Sequence, residues 1–157
     1  MFYPIDGGPT TFKFPGDGKI RIEGWSTLDE LTVPKDIDSD HERFIMVAKD
    51  GNSTDLTIGR YAGLVSFTEN KVGAISLEIG VYNSGRKIVE PFSEKGDSGA
   101  LVWHIKNGKA FIVGQLHSGQ NKGGLTTNHV SYCTPGEKLR TNIKTKFPHA
   151  DFFRTSW

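Results

Sequence analysis

Lys95-Gly96-Asp97-Ser98-Gly99-Ala100-Leu101-Val102 is the stretch on which the reading of this chain turns. Two glycines bracket an acid and a hydroxyl, and an apolar run begins directly behind them. Glycine lets the backbone turn tightly and brings neighbouring N–H groups to face one point. Donors placed in that way hold a developing oxyanion beside a nucleophilic serine. The apolar run reads as a strand, so the stretch predicts a nucleophile-type loop feeding a sheet. The blander alternative is an ordinary Gly-Asp-Ser-Gly surface turn.

Working outward, nineteen glycines and seven prolines punctuate short apolar runs, the signature of strands and turns. Strand candidates are 44–49, 54–61, 64–68, 74–81, 100–105, 110–116 and 128–132. Asn107-Gly108 separates two of them, and both residues tolerate positive φ, which predicts a tight hairpin. Strands at this spacing indicate an antiparallel barrel or sandwich, an all-β fold. Upstream, 1–19 reads as irregular, 20–25 alternates as a short strand, and 26–42 is polar and acid-rich and reads as a surface loop. The division expected is an N-terminal arm over 1–45 and a barrel with its terminal helix over 46–157.

That helix is expected over 135–147. Thr134 stands as N-cap, Pro135 at the first helical position and Glu137 at the third, a capping-box pattern. Leu139, Ile143 and Phe147 follow at four-residue intervals as one apolar stripe, and Pro148 ends the run.

Composition narrows the function classes. Nineteen Lys+Arg against eighteen Asp+Glu leave a net charge of +1, so no basic field argues for nucleic acid. Apolar runs reach only about five residues, far short of a membrane span. Met1-Phe2-Tyr3-Pro4-Ile5 lacks the basic start and apolar core of a secretion signal, and the single Cys133 cannot pair internally. Both point to an intracellular setting. No histidine pair has zinc-ligand spacing and no glycine-rich phosphate loop is present, so neither metal nor cofactor is expected.

The loop resembles the nucleophile loop of trypsin-like serine proteases. Gly114-Gln115-Leu116-His117-Ser118-Gly119 resembles the strand that in that family runs beside bound substrate. Val130-Ser131-Tyr132-Cys133-Thr134-Pro135 and the helix after it look like the final strand and terminal helix. The run from Lys49-Asp50-Gly51-Asn52-Ser53-Thr54 to Gly59-Arg60, and the closing Phe147-Pro148-His149-Ala150-Asp151, look like a fungal branch of the family. The resemblance covers the second barrel of the family's double barrel and not the first. It implies a single six-stranded antiparallel barrel with a C-terminal helix. It further implies Ser98 as nucleophile, Gly96 and Ser98 N–H groups as the oxyanion hole, and Asp97 as the residue that shapes the loop. Phe92 would lie at the base of the specificity pocket, with His117, Ser118 and Gly119 along the cleft.

The family's histidine base and its carboxylate have no counterpart upstream of Ser98. His41, in Asp38-Ser39-Asp40-His41-Glu42, reads as part of a solvated loop, and His104 as a strand-face residue. His117 is the candidate substitute base. A cleft-lining or core histidine bonded to backbone is the reading we favour for it. The leading expectation is a protease half-domain, inactive or weakly active alone. A peptide- or protein-binding module using the old cleft is the alternative. A toxin or defence protein with another activity, such as nucleic-acid cleavage, is the third. Partners expected are a peptide or protein in the cleft, and a separate first-barrel chain or a second copy over the exposed flank. The arm, with Phe2, Tyr3, Phe12, Phe14, Ile20, Ile22 and Trp25, is the other candidate cover.

Overall fold

The computed structural model describes residues 20–37, 41–63, 65–69, 72–73, 75–83, 91–121 and 128–152. In chain order its elements are β1 (Ile22–Trp25), α1 (Leu28–Leu31), β2 (Asp36–Ile37), β3 (Arg43–Gly51), β4 (Asp55–Tyr61), β5 (Val65–Glu69), β6 (Ile75–Asn83), β7 (Leu101–Lys106), β8 (Lys109–Asn121), β9 (Asn128–Pro135) and α2 (Gly136–Lys146). Six strands close on themselves. β3 pairs β4, β4 pairs β6, β6 pairs β9, β9 pairs β8, β8 pairs β7, and β7 returns to β3. Every one of these pairings is antiparallel, so the expected six-stranded barrel is present and closed, with no free edge in the ring.

Three further strands decorate it. β5 extends β6, β2 lies along β3, and β1 runs parallel to β8. The hairpin expected at Asn107-Gly108 joins β7 to β8, with φ of 54° and 75° at the two turn residues. Those values suit the right-handed twist of the flanking strands.

The barrel is filled by Ile45, Val47, Tyr61, Ile79, Val81, Phe92, Val102, Val113, Leu116 and Cys133. Full burial of an aliphatic or aromatic side chain contributes roughly 1.5–3 kcal/mol each. Leu31 of α1 joins the same core at 1% exposure. The segment over 26–42 is therefore more than a surface loop. A capping box that the sequence reading passed over starts α1. Thr27 Oγ1 accepts from Glu30 N–H at 3.2 Å, and the Glu30 carboxylate accepts from Thr27 N–H at 3.4 Å. Residue 45, the expected limit of the arm, lies inside β3. The aromatic residues of 1–19 lie outside the described residues.

The terminal helix forms, but its start and its packing differ from expectation. β9 continues through Pro135, which occupies the N-cap without a side-chain hydrogen bond. Glu137 does not close a box on Thr134. Its carboxylate accepts instead from Leu28 N–H at 2.9 Å and ties α2 to α1. Of the expected stripe, Leu139 is half-buried, Ile143 is 41% exposed and Phe147 is 64% exposed. Phe147 sits at the C-cap with an extended φ of −132°, which turns it out of the helix and off the stripe. An aromatic contact does the anchoring there: Trp25 of β1 stacks on Phe152 with ring centroids 5.3 Å apart.

Candidate functional site

The 95–100 loop enters β7 and is held from two sides. On one side it docks on β8: Gly99 N–H donates to Leu116 C=O at 2.7 Å and Leu116 N–H to Ala100 C=O at 2.9 Å. On the other it carries Asp97 into a nest made by the β3–β4 hairpin. Asp97 Oδ1 accepts from Ser53 N–H at 2.7 Å and Thr54 N–H at 3.2 Å. Asp97 Oδ2 accepts from Thr54 Oγ1 at 2.7 Å and Glu94 N–H at 3.0 Å.

The charge on Asp97 is met by Lys49. Its Nζ lies 3.2 Å from Asp97 Oδ2, and both side chains have no exposed surface. The ammonium also donates to Thr54 Oγ1 at 2.6 Å and Asp55 C=O at 3.3 Å. Burial alone pushes the Asp97 carboxyl upward. The donors from Glu94, Thr54 and Ser53, with the Lys49 ammonium, outweigh that and hold it well below the usual carboxylate range. A buried pair survives only with its remaining lone pairs and protons satisfied, and this one has them.

Two glycines make the docking sterically feasible. A Cβ on Gly51 would strike the Asp97 carboxylate and the Lys49 ammonium. Gly96 has φ of 111° and faces Ser53 so closely that a side chain would collide with its hydroxyl. Ser53 Oγ in turn donates to Lys95 C=O at 2.9 Å. Asp97 N–H bonds Glu94 C=O and Ala100 N–H bonds Asp97 C=O, while the N–H groups of Gly96 and Ser98 take part in none of these bonds.

Ser98 is exposed at the tip of this loop. Its hydroxyl donates to the backbone C=O of His117 at 3.3 Å. His117 lies where the β8–β9 register slips between Leu116 and Ser118, so it occupies a bulge. Its Nε2 lies 2.7 Å from Glu78 Oε2 of β6, with side-chain exposures of 41% and 5%. Ser118 and Gly119 follow on β8, exposed. Over 118–121 that strand pairs with β9 alone among the described residues.

Of the anticipated site residues, Gly96, Asp97, Ser98, His117, Ser118 and Gly119 therefore gather at one end of the barrel. Phe92 lies apart from any open surface. It is fully buried in the core, its N–H bonded to Asn83 Oδ1 at 2.9 Å and the Lys49 ammonium 5.8 Å above its ring. Beside it Ser93 and Ser131 share a buried hydroxyl pair at 2.7 Å. His104, on β7, is half-buried and bonds Ser26 Oγ at 2.7 Å.

Sequence reasoning missed Lys49 and Glu78. Lys49 carried a signal: it shares the strand face of Ile45 and Val47, where period two places core residues. Glu78 is the single charge in the apolar run Ile75-Ser76-Leu77-Glu78-Ile79. Among the described residues no group of three or more His, Cys, Asp or Glu is placed to hold a metal ion, and no helix is long and apolar enough to cross a membrane. Comparison with protein-family models and with curated proteins finds no match for the chain.

Proposed function

We propose that this chain is the second barrel of a trypsin-like serine-protease fold, acting as a slow acyl-transfer half-site with Ser98 as nucleophile. The observation that carries the reading is the docking of Asp97 on Lys49, Ser53 and Thr54, which fixes the loop while leaving Ser98 exposed at its tip. The desolvated pair ties the loop to β3 in one place, the kind of fixed support a nucleophile loop needs. Supporting features are the closed barrel, the helix after its last strand and the N–H groups of Gly96 and Ser98, which are spoken for by no bond within the loop. The Ser98 hydroxyl rests on a carbonyl and not on an imidazole, which agrees with low intrinsic turnover.

The edge of β8 over 118–121, which among the described residues pairs with β9 alone, favours a second reading, a module that holds a peptide or protein there by strand addition. Labelling separates the two. Prolonged incubation with excess fluorophosphonate, followed by peptide mapping, is expected to place one adduct on Ser98, with none on chain unfolded in urea. An unmodified Ser98 would leave the binding module as the better account.

A further inference from the structure

We infer that Glu78 and His117 form a proton-handling pair that serves Ser98, giving the half-site a base of its own drawn from the same barrel. The inference rests on the reading of Ser98 as nucleophile.

Three observations lead to it. First, Glu78 keeps a carboxylate almost wholly buried on a strand between Leu77 and Ile79. Burying an acid there is costly unless it is paired, and the hydrogen bond it makes is to His117 Nε2 at 2.7 Å. Second, that pairing reaches from β8 over β9 to β6, about 10 Å of sheet at the usual strand separation. The bulge at His117 breaks the β8–β9 register where this reach occurs. Third, Ser98 touches the same residue, with its Oγ 3.3 Å from the His117 carbonyl oxygen. His117 thus meets Ser98 through its main-chain carbonyl and Glu78 through its ring.

The chemistry follows from which nitrogen is occupied. Glu78 holds Nε2, so the ring presents Nδ1 as its proton acceptor. For Nδ1 to act as the base, rotation about the Ser98 Cα–Cβ bond has to bring Oγ from the His117 carbonyl to within hydrogen-bond reach of the ring. In the acylation step the Ser98 Oγ–carbon bond forms as Nδ1 takes the hydroxyl proton. The imidazolium, still donating Nε2–H to Glu78, holds the positive charge. Collapse breaks the bond to the leaving alkoxide, which takes the proton from Nδ1. Water then attacks the acyl-serine with its proton passing to Nδ1 and on to Ser98 Oγ. Small activated esters fit this step, since a good leaving group needs little protonation.

The test compares second-order rates of Ser98 labelling by a fluorophosphonate, in which the Oγ–phosphorus bond forms and fluoride leaves. The proteins are wild type, His117→Ala and Glu78→Gln, read by intact mass. His117→Ala is expected to slow labelling about 10²-fold or more, the range for loss of a general base. Glu78→Gln is expected to slow it about tenfold, and added imidazole to restore part of the His117→Ala loss. If His117→Ala does not fold, His117→Gln, which keeps an amide toward Glu78, gives the same comparison. Rates within twofold of wild type, with the adduct still on Ser98, would overturn the inference and leave the function of Ser98 standing. No adduct on wild type would overturn both.

Discussion

The ammonium of Lys49 lies 3.2 Å from the carboxylate of Asp97, and neither side chain has exposed surface. β3 and the serine loop are thus joined by a charge pair inside the barrel wall. The pair is also what sets Ser98 on a rigid mount, because Asp97 is its immediate neighbour in the chain.

Removing one partner should leave the other charge buried alone. Lys49→Met is expected to cost about 3–5 kcal/mol of stability, measured by urea unfolding. The double variant Lys49→Met with Asp97→Asn should cost clearly less than the two single losses added together, since the two groups interact directly. Additive losses would show that the pair contributes no mutual stabilisation.

Gly51 and Gly108 should respond differently to alanine. At Gly51 the new methyl meets two charged groups locked in the core, and the cost expected is at least about 2 kcal/mol. At Gly108 the methyl meets nothing, but φ is 75°, so the cost is conformational and about 1 kcal/mol. Thermal unfolding of both variants gives the ordering directly. A Gly51→Ala protein as stable as wild type would contradict the close docking of the hairpin on Asp97.

Acid should act in two windows. Burial, with the Lys106 ammonium acting in the same direction, holds the His104 imidazole below its ordinary value against the charges of Glu30 and Asp36. The neutral ring is therefore favoured in the fold. Its stabilisation is complete above about pH 6.5, the unfolded value, and is lost as pH falls through the lower folded value. Asp97 is a depressed carboxyl, so its contribution is complete above about pH 4 and is lost further down. Stability measured from pH 8 to 3 should fall in both ranges. The upper fall should shrink in His104→Gln while the lower one remains.

The barrel was legible because each wall strand carries its own local pattern: apolar runs of strand length, cut by glycine, with Asn107-Gly108 marking one turn outright. The serine loop was legible for the same reason, since its glycines and its acid are adjacent in sequence. What stayed hidden depends on residues far apart along the chain. Glu137 looked like the end of a capping box, but its carboxylate accepts instead from the N–H of Leu28, far upstream in the chain. Phe147 matched the helical period, yet the last turn ends at Lys146 and carries it outward. Glu78 gave no sign of His117, because a bulge rather than a motif brings them together.

The β3–β4 hairpin also bears on how the molecule is assembled during synthesis. It is a local structure, able to form within microseconds, whereas chains emerge at about 5–20 residues per second. The nest of Ser53, Thr54 and Lys49 is thus on hand well before Asp97 arrives. Until it arrives, Lys49 keeps its water, since closing the wall over a lone ammonium is strongly unfavourable. The barrel can seal only once the serine loop has docked. A chain stalled or truncated ahead of residue 97 is left open twice over: it lacks β7, β8 and β9, which close the ring, and it keeps a hydrated lysine where the finished protein has none.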